Sequence, residues 1–204
     1  MGKIDPMPDR ILAGFAAPVP DAQQTFRGLM HALSYPGRIA TLPGSRETPD
    51  GWPPSLAAAA LTLLDADAPV WLDAAAATAD AKTFIRFHTG APIVDDLAAA
   101  RFVVALTPDR VDFDMLSIGT DQYPDRSATV LLGLPALDGG GETVLRGPGI
   151  QTTATIAPAG SLHPFWRAWS RNRALYPLGF DAFLFAGASA LGLPRSVAAT
   201  ASEG

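Results

Sequence analysis

Phe26, Leu29, Met30 and Leu33 recur at i, i+3, i+4 and i+7, the spacing that lines one face of a helix. Asp21, with Gln24 three residues on, reads as a capping box that opens this helix. Tyr35-Pro36-Gly37 reads as the turn that closes it, with a strand over 39–42 beyond. Pro53 and Pro54 stand where a helix tolerates proline, at the start of an apolar run over 56–64. Val70-Trp71-Leu72 predicts a short buried strand. A helix through Thr83, Phe84 and Phe87 runs into Gly90 and Pro92, residues that stop helices. Residues 102–106 are apolar without alternation, which predicts a strand covered on both faces. Strands follow over 128–134, 143–146 and 151–156, and the glycines at 139–141 and 147–149 between them predict hairpins. His163-Pro164 starts a helix running to Leu175, and segments 182–185 and 195–198 close the sheet. The pattern is that of an α/β protein, helices packed on a mixed sheet. It predicts a single domain over 21–199, a Pro-rich arm over 1–20 that wraps a neighbour or stays free, and a flexible tail over 200–204.

Composition narrows the functions open to such a domain. Hydrophobic residues make up 48% of the 204 and charged residues only 17%, so part of the surface is expected to meet another chain. The net charge is −5 and no run of Lys or Arg exists, which argues against nucleic-acid binding. Asp5, Pro6, Pro8 and Asp9 break up any secretory apolar region, and no 18-residue apolar span predicts a membrane helix. Met1-Gly2 is followed by Pro6 where a myristoylation pattern needs Ser or Thr. A cytoplasmic location is expected. With no cysteine, the chain can supply no thiolate nucleophile, Cys-ligated zinc or cysteine-held iron–sulfur cluster. Its two lysines, Lys3 near the terminus and Lys82 early in a helical segment, are poorly placed for a pyridoxal-phosphate Schiff base. No cofactor is expected.

Several groupings carry possible chemistry. Arg86-Phe87-His88-Thr89-Gly90-Ala91-Pro92 gathers a guanidinium, an imidazole and a hydroxyl at the end of a helix. These groups can line a site, and they can equally cap the helix and offset its dipole. Asp125-Arg126 followed by Ser127 and Thr129 can hold an anion on a guanidinium fork, or form an internal pair that fixes a loop. The helix from His163 places Phe165, Trp166 and Trp169 on one side and Arg167 and Arg171 on the other, with Arg173 falling back so that its stem can lie on indole. That is plain amphipathicity or a subunit contact, where Trp and Arg are enriched.

Other groupings argue against particular chemistries. His31, His88 and His163 are widely spaced with no helical pair, so no zinc site is predicted. Asp65 with Asp67, and Asp112 with Asp114, read as solvated turns or as ligands for a hard cation. Gly187-Ala188-Ser189-Ala190-Leu191 nearly spells a hydrolase nucleophile elbow. Leu191 replaces the final Gly and no His follows His163, so a hairpin turn is predicted instead. The glycine runs lack the strand–loop–helix context of a phosphate cradle.

The order of blocks along the chain adds a resemblance. Phe26-Arg27-Gly28-Leu29-Met30-His31-Ala32-Leu33-Ser34-Tyr35-Pro36-Gly37 comes first, then Leu63-Leu64-Asp65, Pro69-Val70-Trp71-Leu72 and the Arg86–Pro92 block. Tyr123-Pro124-Asp125-Arg126-Ser127, Gly147-Pro148-Gly149-Ile150, Tyr176-Pro177-Leu178-Gly179-Phe180-Asp181 and Leu193-Pro194-Arg195 follow. From about residue 15 to residue 197 the set resembles the H subunit of the bacterial carbon–phosphorus lyase system, the PhnH family. The resemblance implies a three-layer α/β fold, similar to the large domain of pyridoxal-phosphate-dependent transferases but without the cofactor. It implies an accessory subunit beside the G, I and J types, taking part in coupling a phosphonate to the ribose of ATP before another subunit cleaves the C–P bond. It also implies a homodimer in isolation. It transfers no catalytic residue. Arg86, His88, Thr89, Tyr123, Arg126, Ser127, Trp166 and Trp169 stand as candidate ligand or interface residues. The alternatives are an independent phosphate- or phosphonate-binding enzyme using Arg86, His88 and Arg126, and a scaffold without ligand.

Overall fold

The architecture follows from which strands can be covered on both sides. In the computed structural model, which describes residues 10–201, strands β1 (Ala40–Thr41), β2 (Val70–Leu72), β3 (Phe102–Ala105), β4 (Thr129–Gly133), β7 (Asp181–Ala186) and β8 (Ser189–Leu193) form one six-stranded sheet. The order is β1-β8-β7-β4-β3-β2; β2, β3, β4 and β7 run parallel, β8 joins β7 antiparallel, and β1, antiparallel to β8, forms one edge. A smaller antiparallel sheet joins β5 (Thr143–Arg146) to β6 (Ala154–Ile156) and β9 (Ala198–Ala201).

The central strands split their side chains between two cores, as their unbroken apolar runs require. Val104, Leu131, Phe183 and Phe185 face the layer of α1 (Pro18–Ser34), α2 (Pro54–Leu63) and α3 (Ala79–Thr89). Val103, Ala105, Val130, Leu132, Ala182 and Leu184 face α4 (His163–Ala174) and the small sheet. Helices, sheet, and helix with small sheet thus stack in three layers.

α1 approaches the sheet closely because glycine permits it. A Cβ at Gly192 of β8 would stand 2.6 Å from the Ala32 backbone, and one at Gly28 only 2.4 Å from Leu42. Thr25, Leu29 and Ala32 form its buried face.

Four local expectations change. α1 begins at Pro18 rather than after Asp21: proline needs no partner for a first-turn N–H, and the Asp21 carboxylate reaches back to accept the Ala17 N–H at 2.8 Å. The segment read as an arm therefore yields its last three residues to the helix. Residues 10–17 lie along their own chain, Arg46 donating to the Gly14 carbonyl at 2.9 Å and Ala13 to Glu47 Oε2 at 2.8 Å. The rest of the arm, residues 1–9, and residues 202–204 of the tail lie outside the described residues. Residues 139–141 form no hairpin, because β4 belongs to the large sheet and β5 to the small one; the turn at 147–149 does lead into an antiparallel pair. Residues 195–197 are not strand. The segment after β7 instead turns at Gly187, in the left-handed region at φ +52°, and returns as β8.

Candidate functional site

The Arg86–Pro92 block is the C-terminal turn of α3. Gly90 takes the left-handed conformation at φ +71° and its N–H donates to the Arg86 carbonyl, the geometry that ends a helix. Thr89 closes the turn: its hydroxyl donates to the Ile85 carbonyl at 2.8 Å and accepts from the Ala91 N–H at 3.1 Å. His88 Nε2 lies 2.8 Å from the Leu12 carbonyl, and its ring packs edge-on against Phe84 and Phe87. The imidazole thereby pins the segment preceding α1, next to a cavity of about 200 Å³ lined by Gly14, Phe15, Pro18, Ala22 and Leu61. The same segment is held at Glu47, which accepts the Ala13 N–H and pairs with Arg10. These contacts, the Ala13 bond first, hold the Glu47 carboxyl below its ordinary range. The Arg86 guanidinium is exposed, with no hydrogen bond or ion pair among the described residues.

The second candidate group sits on a short 3-10 turn, Pro124–Arg126, ahead of β4. Arg126 lies over the Tyr123 ring, 4.1 Å from its centroid. The pair that fixes this loop is not Asp125–Arg126 but Asp181–Arg195. Arg195 grips the Asp181 carboxylate through Nε and Nη2, donates from Nη1 to the Pro124 carbonyl at 2.8 Å and from Nη2 to Ser127 Oγ at 2.6 Å. Both partners are largely buried, so the fork ties the start of β7 to the loop before β4. Ser127 is spent as an acceptor inside this knot. The knot and the α3 turn share no hydrogen bond, ion pair or ring contact among the described residues.

The two tryptophans part company. Trp169 is 0% exposed, donates Nε1–H to the Val197 carbonyl at 3.0 Å, and packs against Phe165 and Phe180. Trp166 is half-buried beside Phe165, on the wall of a cavity of about 340 Å³ with His163, Ser161, Glu142 and Thr143. On the far side of α4, Arg171 holds Asp114 bidentately at 2.6 and 2.8 Å, and Asp112 accepts the Asp114 N–H at 3.2 Å. Arg173 lies over Tyr176 at 5.5 Å, not over indole. The described residues contain no group of three or more His, Asp or Glu placed to hold a metal ion.

Three residues that organise these places were not singled out from sequence for such roles. Arg195 entered only as part of a motif. Asn172, buried in α4, donates Nδ2–H to the Phe180 carbonyl and accepts its N–H, both at 2.8 Å. Asp73, 2% exposed just beyond β2, accepts from the N–H groups of Ala76, Leu106 and Thr107 and from the Thr107 hydroxyl. Its four donors weld the carboxyl ends of β2 and β3, where parallel sheets often take ligands.

None of this geometry assembles a nucleophile beside a base, so similarity decides the family. A family model described as "Bacterial phosphonate metabolism protein (PhnH)" matches residues 13–200. The chain belongs to the PhnH family. It is 41% identical over 186 residues to the "Alpha-D-ribose 1-methylphosphonate 5-triphosphate synthase subunit PhnH" of Rhizobium meliloti (strain 1021), covering 89% of this chain and 92% of that one. It is 29% identical over 177 residues to the "Putative C-P lyase subunit protein HtxG" of Stutzerimonas stutzeri, covering 87% and 85%. Both relatives are named as subunits, and no described helix of this chain is long and apolar enough to cross a membrane.

Proposed function

We propose that this chain is an accessory, non-catalytic subunit of a carbon–phosphorus lyase core complex, acting with subunits of the G, I and J types. The name of the Rhizobium relative describes the product: a ribose that keeps a 5-triphosphate and carries methylphosphonate at C1. Starting from ATP, the complex forms a bond from a phosphonate oxygen to ribose C1 and breaks the bond from C1 to adenine, which leaves with a proton. Cleavage of the C–P bond then falls to another subunit, since this chain has no cysteine to hold a cluster. The three-layer likeness to pyridoxal-phosphate transferases is part of this reading.

The observation that carries the reading is the 41% identity spread over nearly the whole of both chains. The fate of the candidate residues supports it. Thr89, His88, Ser127 and Trp169 are engaged in holding the fold, and Arg86 and Arg126 sit on separate elements. The independent-enzyme reading would need Arg86, His88 and Arg126 around one anion.

Adenine release tests the proposal. The purified chain with ATP and methylphosphonate is expected to release none, the G, I and J subunits little, and the full mixture to release adenine as the ribosyl phosphonate accumulates. Turnover by the chain alone would contradict it.

A further inference from the structure

α1 shows an outer face that none of the described residues covers. Phe26 is 48% exposed and Met30 46%, one turn apart on the helix, with Val19 further along at 81%. Tyr35 and Ile39 extend the apolar surface past the helix end to β1, which is an edge strand of the six-stranded sheet. Glycine-mediated contact locks the opposite face of α1 to the sheet, so this ridge is held rigidly outward. A rigid apolar ridge of this kind, on a chain with few charges elsewhere, is the mark of an interface.

The charge around the ridge says what it meets. Residues 22–46 contain no Asp or Glu, although the chain carries 20 acidic residues and a net charge of −5. The same stretch presents exposed Arg27 and His31 beside Phe26 and Met30, and Arg38 over the Tyr35 ring at 5.1 Å. A second copy is a poor occupant, because two-fold packing of α1 on itself would bring Arg27 and Arg38 up against a surface of the same sign. We infer that the outer face of α1, centred on Phe26 and Met30 and bordered by Arg27, His31 and Arg38, docks another subunit of the complex through a segment with apolar side chains rimmed by carboxylates. This rests on the subunit reading given above.

The test is co-purification of the tagged full chain with co-expressed G-, I- and J-type subunits, with chain mass read by light scattering. Phe26→Asp combined with Met30→Asp is expected to keep the melting temperature and mass of the chain alone and to weaken assembly at least about tenfold. Arg27→Glu, which disturbs no packing, is expected to weaken assembly less, and wild-type assembly is expected to loosen as salt rises. Phe87→Asp, which alters an exposed apolar residue on α3, is expected to assemble like wild type. Full assembly by the double variant and by Arg27→Glu would overturn the inference. So would a fall in the isolated chain's mass in the double variant, which would make the ridge a self-interface, or loss of binding to anionic lipid vesicles, which would make it a membrane contact. Wild-type chain that joins none of the subunits would instead refute the subunit reading itself.

Discussion

α1 and α4 are both amphipathic helices with large apolar side chains, and the chain uses them in opposite ways. α4 turns Phe165 and Trp169 completely inward, anchors the indole on Val197 and clamps the following loop with Asn172. α1 buries small and medium residues, Thr25, Leu29 and Ala32, and leaves its largest ones outside. The difference lies in what packs beneath. α4 has a sheet, a small sheet and an aromatic cluster to fill, whereas α1 lies close on the sheet through Gly28 and Gly192 and buries nothing larger than Leu29. Aromatic content alone therefore does not locate an interface; the depth of the layer below decides whether a ring goes in or stays out.

The comparison breaks most readily at Trp169. Trp169→Ala removes a fully buried indole and strands the Val197 carbonyl, at a cost of about 3–5 kcal/mol. Denaturant titration should show a chain close to unfolding, and a small shift would mean that α4 is less central than its burial implies. Asn172→Ala leaves the Phe180 N–H and carbonyl without partners, for about 2–3 kcal/mol by the same titration. Arg195→Ala strands the Asp181 carboxylate and frees the loop at Ser127, for about 1–3 kcal/mol. Loss on that scale, with per-molecule activity of the assembled complex intact, would mark the knot as structural.

Arg86→Ala lies on the other side of the comparison. The guanidinium is exposed, so the stability change should stay within about 0.5 kcal/mol. Adenine release by the full complex should persist; abolished turnover with wild-type melting would move the α3 turn into an active site. The smallest effect is expected at Glu47. Its lowered carboxyl favours the docked segment above the ordinary carboxylate range, and that contribution is lost as pH falls through the lowered value. The protection of the Ala13 amide, measured against its intrinsic exchange rate at each pH, should fall at acid pH while that of α4 amides holds.

Much of this was legible from local pattern. The strands at 70–72, 102–105 and 129–133 and the helices from Pro54 and His163 fall where apolar runs, prolines and glycines put them. The Gly90 stop is a local event and was read correctly. The role of Arg195 was not, because its partners Asp181, Pro124 and Ser127 meet it only through sheet pairing. Nor was the division into two sheets, since hydrogen-bond partners of a strand are set by topology and not by its own composition. Helical periodicity placed Phe26 and Met30 on the same face as Leu29 and Leu33; that Leu29 goes in while Phe26 and Met30 stay out goes with the close approach at Gly28, on the helix, and at Gly192, on β8 beneath it.

Hydrogen–deuterium exchange across the chain, free and in the assembled complex, measures the contrast between the two helices directly. The account predicts that complex formation protects the amides of α1 and of residues 35–41 and leaves those of α4 unchanged. Protection confined to α4 and the cavity beside Trp166, with α1 exchanging as in the free chain, would contradict it.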